Sequence, residues 1–373
     1  MNSIMDLFDK KLGFGLMRLP QTKDKEIDFD SVMAMVDEYI KKGFHYFDTA
    51  YVYHSGTSES AFKKCIVERY PREELILADK MPSFLIKEKG DFQRIFAEQL
   101  ERCGVSYFDL YLLHNLDRGN YDKMEEFDGF SFVSQQKKEG KVKFMGFSFH
   151  DTAQVLDEIL TKHPEVDFVQ LQINYYDWDS EEVQSGACYE VAKKHNKPII
   201  VMEPIKGGSL VNVPEKAAEA IRTLGKETTP ASLAIRYAAS LPQVAIVLSG
   251  MSTMEQLREN TSYMQSLRPI TEDEKKVLNQ VVEIIRSMDT IPCTGCKYCV
   301  DDCPAKINIP RLFKTYNYML QFCNGQSPKE RYQTDIKDGG KASSCIKCGQ
   351  CEEHCPQHIG IRENLRKIAE IFE

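Results

Sequence analysis

Short apolar or β-branched runs alternate with longer stretches of helical period through the first 289 residues, and this alternation restricts the fold more than any other feature. Seven runs read as strands: Phe44–Ala50, Leu75–Lys80, Phe108–His114, Val142–Ser148, Asp167–Asn174, Pro198–Pro204 and Gln243–Ser249, with Gly13–Arg18 supplying an eighth. Helical spacing of apolar residues marks Asp28–Lys42, Asp91–Cys103, Thr152–Lys162, Glu181–His195 and Met254–Met264, and a closing helix over Thr271–Met288. Strand and helix taking turns eight times predict an α/β fold, a (β/α)8 TIM barrel, in preference to a doubly wound sheet. A chain of 373 residues has room for that barrel over 1–289 and a smaller domain over 290–373.

A barrel collects its chemistry at the C-terminal ends of its strands. Asp48, Lys80, His114 and Ser148 stand at or near the ends of the second to fifth strands, and Tyr53 lies on the loop after Asp48. Each alone has an ordinary explanation, since a histidine ending a strand is usually structural and an aspartate before Thr-Ala can cap a helix. Together they suit reduction of a carbonyl by hydride. A phenol with an unperturbed pKa near ~10 is a poor proton donor at neutral pH. A nearby ammonium can lower that value, and a carboxylate can hold the ammonium in place. Tyr53, Lys80 and Asp48 fit those roles, with His114 hydrogen-bonding the carbonyl oxygen beside Tyr53.

Eight of the twelve cysteines fall into two copies of one pattern, CTGCKYCVDDCP from Cys293 and CIKCGQCEEHCP from Cys345. Each reads C-x2-C-x2-C-x3-C-P, the run by which thiolates hold a pair of [4Fe–4S] clusters, the fourth cysteine of each run ligating the other cluster. Cys293, Cys296, Cys299 and Cys355 are assigned to one cluster, and Cys345, Cys348, Cys351 and Cys303 to its neighbour. Zinc is the alternative, but a zinc site closes with four ligands in two pairs and leaves the repeated third and fourth cysteines unexplained. Disulfides need an oxidising compartment. Cys65, Cys103, Cys188 and Cys323 lack ligand spacing and read as small buried hydrophobes. Helical periodicity over Ile307–Phe322, and again in the closing IRENLRKIAEIFE, makes this domain a small α-helical, ferredoxin-like one.

The string GFHYFDTAYVYHSGTSE, the lysine of ILADK, the LLHN at Leu112–Asn115 and GMSTMEQLREN at Gly250–Asn260 resemble the aldo-keto reductases. Within these the chain is similar to bacterial oxidoreductases that carry a C-terminal 4Fe-4S ferredoxin-type domain, and the likeness covers almost the whole chain. The resemblance implies an NAD(P)(H)-dependent barrel with a catalytic tetrad at Asp48, Tyr53, Lys80 and His114. It further implies that Ser148 and Gln172 hold the nicotinamide amide and that Glu259 and Asn260 lie near the adenine. Met202 replaces the aromatic ring that stacks on the nicotinamide in many members. Gly250 and Gln256 replace a lysine and an arginine that surround the 2′-phosphate in NADPH-preferring members, which weakens selection for that phosphate. Lys206 or Arg258 could substitute.

A formal charge of −8 with no long basic block argues against nucleic acid as a partner. No run of eighteen apolar residues offers a membrane span, and Met1–Pro20 contains no signal-peptide core, so a cytoplasmic location is expected. The expected partner is a small carbonyl or alcohol substrate, with ferredoxin or another electron carrier as a second. Nicotinamide gives two electrons as one hydride while a [4Fe–4S] cluster takes one. Three accounts remain open at this level: clusters that are structural or sense oxygen, a flavin in the barrel as converter, or a substrate that accepts electrons singly. A redox-sensing module on a catalytically silent barrel is the non-enzymatic alternative.

Overall fold

The structure, a computed structural model, describes residues 3–301, 303–322 and 327–373. The chain packs as two compact units, Met1–Gly207 with Ala231–Glu272, and Gly208–Pro230 with Asp273–Glu373.

Eight parallel strands close the first unit into a barrel in chain order: β1 (Leu12–Gly15), β2 (Tyr46–Asp48), β3 (Ile76–Pro82), β4 (Phe108–Leu116), β5 (Val142–Phe149), β6 (Phe168–Gln172), β7 (Ile199–Met202) and β8 (Val244–Ser249). The expected TIM barrel is thus the fold observed. Because side chains alternate across a strand, each strand divides its residues between two cores. Phe47, Leu77, Met81, Tyr111, Leu113, Met145, Phe147, Val169, Ile199, Val201 and Val247 pack outward in the core shared with the helices. Tyr46, Ala78, Leu110, Leu112, Phe144, Phe168, Ile200, Ile246 and Leu248 form a second buried cluster within the barrel, joined by Ile4 from the N-terminal segment. Two steps further along the inward rows stand Asp48 after Tyr46, Lys80 after Ala78, His114 after Leu112, Gln170 after Phe168 and Met202 after Ile200. The inner packing and the polar mouth are therefore one pattern.

Two inward glycines make that packing possible. A Cβ on Gly13 would lie 2.5 Å from the Tyr46 ring, and one on Gly146 would lie 2.6 Å from the Phe168 ring and 2.7 Å from its backbone oxygen.

The helix Phe29–Lys41 begins where Asp28 accepts the Ser31 amide at 3.1 Å, and Thr253 caps Met254–Met264 in the same way. The helix expected from Glu181 starts only at Ser185, because Gln184 adopts a left-handed φ of 53° that breaks the helical path. Pro230–Ala239, between β7 and β8, has Ala231–Arg236, Ala238 and Ala239 all buried, so it carries no polar stripe by which a helical period could be read.

In the second unit, helices Ile309–Phe322 and Ile361–Phe372 enclose a small core of Ile307, Leu312, Phe313, Tyr332, Leu365 and Ile368, which also takes in Cys299, Cys351 and Cys355. Tyr332 stacks on Phe372 with ring centroids 5.0 Å apart, and its hydroxyl accepts the Ala342 amide at 2.9 Å. Among the described residues no helix is long and apolar enough to cross a membrane.

Candidate functional site

Lys80 is fully buried and its Nζ donates to Asp48 Oδ1 at 2.5 Å and to the Thr49 carbonyl at 2.6 Å. Asp48 Oδ2 accepts the Tyr46 hydroxyl and the Gln170 amide, both at 3.2 Å. The Lys80 backbone is clamped as well, its N–H donating to Asp79 Oδ1 at 2.8 Å and its carbonyl accepting Gln99 Nε2 at 3.0 Å. Tyr53 opens a short turn in which His54 and Ser55 take left-handed φ values of 49° and 55°. The turn is tied to the segment after β1, where the Leu19 amide donates to His54 Nε2 at 3.2 Å. These contacts bring the Tyr53 ring edge-on to His114 with centroids 6.0 Å apart, and place the Lys80 ammonium 5.0 Å from the Tyr53 centroid. All four residues meet at the C-terminal mouth of the barrel.

A register shift between Leu113 and Leu116 in the β4–β5 pairing lies at His114, and Asn115 beside it has a φ of 61°. Such irregularities re-aim side chains next to functional sites. The Asn115 amide then donates to Ser148 Oγ at 2.7 Å, which ties β5 to this corner of the mouth.

Burial sets the protonation states. It drives His114 down to about 3, aided by the charges of Lys80 and His150, so the imidazole is neutral at ordinary pH, and its Nδ1 is buried without a hydrogen bond. For Lys80, burial disfavours the ammonium, but Asp48 and Tyr53 together outweigh it and raise the pKa. Tyr53 runs against the simplest expectation from sequence. Its burial raises the pKa more than the Lys80 charge lowers it, so the net direction is upward and the phenol keeps its proton.

Behind β3, on its outward face, lies a polar network that sequence reasoning missed. Glu59 accepts Gln99 Nε2 at 3.1 Å and pairs with Arg102 at 3.1 Å, while the Tyr111 hydroxyl donates to Gln99. Burial raises the pKa of both Asp79 and Glu59, and the Glu59 charge raises that of Asp79 further. Glu59, Asp79 and Cys103 bring one donor atom each within 4.8 Å of one another, but Gln99, Arg102 and the Lys80 amide already satisfy the carboxyls.

The residues expected around a dinucleotide are engaged in different ways. Gln172 Nε2 donates to Glu203 at 3.0 Å, whereas Gln170, one inward step deeper, reaches Asp48; the polar residue at every second position of β6 was the available signal for it. Met202 ends β7. Gln256 is exposed and its Oε1 accepts the Ser252 amide at 2.8 Å. Glu259 is half-buried on its helix. Asn260 is buried, donating to Ser249 Oγ at 3.0 Å and accepting the Tyr263 hydroxyl at 2.6 Å, so both ends of its amide tie its helix to the barrel.

In the second unit the cysteines line two cavities. One is bounded by Cys293, Cys296, Cys299 and Cys355 with Ile309, Phe313 and Ile359. The other is bounded by Cys303, Cys345, Cys348 and Cys351 with Ile307, Leu365 and Arg362. Each cavity gathers three thiols of one run and the fourth of the other, the donor set that crossed ligation requires. The Ile307 amide also donates toward Cys303 Sγ at 3.5 Å. Cys65, Cys103 and Cys188 are buried, and burial raises their thiols, Cys65 to about 11 and Cys188 to about 12; Cys323 lies outside the described residues.

A profile of the Aldo/keto reductase family matches residues 11–283. The chain belongs to the aldo/keto reductase family. A 4Fe-4S dicluster domain profile matches residues 292–359, so this aldo-keto reductase is an iron-sulfur-containing oxidoreductase. It is 27% identical over 305 residues to an uncharacterized oxidoreductase, YqkF, of Bacillus subtilis (strain 168), covering 73% of this chain and 92% of that one. An aldo-keto reductase of Bacillus halodurans in holo form superposes with a TM-score of 0.59 at 24% identity, covering 73% of this chain and 91% of that one. One from Klebsiella pneumoniae in complex with NADPH superposes with a TM-score of 0.57 at 18% identity, covering 73% and 90%. At these identities the two structures bear on the aldo-keto reductase fold alone.

Proposed function

We propose that the barrel reduces the carbonyl group of a small molecule with a nicotinamide dinucleotide, or oxidises the matching alcohol in reverse. The observation that carries this reading is the buried Asp48–Lys80 pair beneath Tyr53 and His114 at one barrel mouth. A nicotinamide dinucleotide, when bound, supplies the hydride. Ser148 and Gln172 are proposed to hold its amide, Met202 to pack against its ring, and Glu259 and Asn260 to lie by its adenine. Asn260 would first have to release one of its present partners.

Tyr53 then delivers the proton. Its raised pKa keeps the phenol protonated before reaction, and neutral His114 directs the carbonyl oxygen toward it. As the proton leaves, negative charge appears on the Tyr53 oxygen, and the Lys80 ammonium offsets it in a site with little water to do so. Asp48 keeps Lys80 charged and aimed. The proton returns to Tyr53 from solvent after the alcohol leaves.

We further propose that the cysteine cavities hold two [4Fe–4S] clusters with crossed fourth ligands, Cys355 and Cys303. The clusters, when bound, supply one-electron chemistry that hydride reduction does not require. Cys299, Cys351 and Cys355 lie within the core of the second unit, which favours a structural or oxygen-sensing role for what they bind.

The test is anaerobic. Purified protein is incubated with aldehydes and ketones and with NADPH or NADH deuterated at C4, and product alcohol is examined for deuterium at the carbinol carbon. Transfer of the label, with about eight iron atoms per chain, supports both parts. Unlabelled product, or zinc in place of iron, refutes the corresponding one.

A further inference from the structure

If the barrel binds a dinucleotide, its phosphates need cations, and the two substitutes suggested by sequence are already engaged. Lys206 Nζ contacts both carboxylate oxygens of Asp177 at 2.7 Å, and Arg258 forks onto Glu38 with two bonds of 3.1 Å.

Arg18 differs from both. It follows β1 at the same mouth, it is exposed, and among the described residues no carboxylate lies within salt-bridge distance of its guanidinium. Its backbone carbonyl accepts the Ser252 hydroxyl at 2.8 Å, which pins its segment to the loop after β8. Its side chain runs across two glycines of neighbouring loops. A Cβ on Gly250 would lie 3.2 Å from Arg18 Cδ and 3.3 Å from its Cβ and Cγ, and a Cβ on Gly207 would lie 3.5 Å from Nη2. A side chain at 250 and the Arg18 stem therefore compete for one space, and glycine at 250 leaves it to Arg18. Glu203 feels the guanidinium charge: burial raises its carboxyl, Lys206 and then Arg18 lower it, and Gln172 already bonds it.

We infer that Arg18 is the phosphate-binding residue of the dinucleotide site, supplying from β1 the cation that position 250 lacks. The inference rests on the nicotinamide reading given above. A planar guanidinium can fork onto two phosphate oxygens, which a lysine at 250 could not do. Its phosphate is either the 2′-phosphate of NADPH or the bridging pyrophosphate common to NADPH and NADH.

The experiment measures dissociation constants of NADPH and NADH for the full chain, purified without air, as wild type, Arg18→Gln and Arg18→Lys. Arg18 is exposed, and unchanged Trp178 fluorescence and melting temperature establish that the variants are folded. Arg18→Gln weakens binding by about tenfold or more, the loss expected for charge-assisted hydrogen bonds, and Arg18→Lys retains part of it. A loss for NADPH alone assigns the 2′-phosphate, and equal losses for both assign the pyrophosphate. Unchanged affinity for both in Arg18→Gln overturns the inference while leaving the nicotinamide reading in place. Wild type that binds neither dinucleotide overturns the nicotinamide reading and this inference with it.

Discussion

Removing the Lys80 ammonium is the sharpest perturbation of the barrel mouth. Its side chain is 1% exposed and that of Asp48 3%, so Lys80→Met strands a buried, desolvated carboxylate. Breaking a buried pair from one side costs about 3–5 kcal/mol, because the surviving charge stays desolvated. Here Asp48 keeps two neutral donors, Tyr46 and Gln170, while the Thr49 carbonyl loses its partner. The expected cost is therefore near the lower end, about 3 kcal/mol. Asp48→Asn leaves Lys80 with the Thr49 carbonyl as its remaining strong partner and should cost about 4 kcal/mol. The double variant removes both charges and should cost less than the sum by about 2–3 kcal/mol. Trp178, the single tryptophan, sits in the barrel unit with Tyr189 and Tyr237 around it, so its fluorescence follows barrel unfolding in urea separately from the second unit. Additive single and double variants, or a Lys80→Met cost below about 1 kcal/mol, would refute a coupled buried pair.

His114 should make the barrel acid-sensitive. Its pKa is held at about 3 by burial, against ~6.5 unfolded, so between those values the unfolded chain binds the extra proton and stability falls as pH falls. His114→Asn lacks this term, and the stability of wild type relative to the variant should drop by about 2 kcal/mol from pH 7 to pH 5; parallel stability curves would sink the claim. Crossed ligation can be read by counting iron in double variants. Cys293→Ala with Cys355→Ala removes two ligands of one cluster and should leave about four irons, whereas Cys293→Ala with Cys303→Ala should leave almost none. The reverse pattern would mean that each run closes its own cluster.

That Asp48, Lys80 and His114 reach the barrel mouth was legible because a strand's period of two carries its inward row there. Once Tyr46 and Ala78 are inside, Asp48 and Lys80 follow as the next inward positions. The outer face of β3 hid the rest. Asp79 reads there as an ordinary strand residue, and its network joins Glu59 to Gln99 and Arg102, 40 and 43 residues further along the chain. Pro230–Ala239 escaped because burial on nearly all sides erased the polar stripe, and the helix from Ser185 began late because Gln184 turns left-handed. Arg18 gave no signal either, since its position depends on space left by Gly250 more than two hundred residues away. The direction of the Tyr53 shift needed three dimensions too, because burial and the Lys80 charge oppose each other and only packing sets their balance.

The most direct test of the account is Tyr53→Phe, measured anaerobically in the full chain for both turnover and dinucleotide affinity. The phenol's role is to give a proton during reaction, so kcat for carbonyl reduction should fall by about 10²-fold or more, while the dissociation constant for the dinucleotide changes by less than about twofold. Turnover that persists without the hydroxyl, or affinity lost in step with turnover, would contradict Tyr53 as the proton donor.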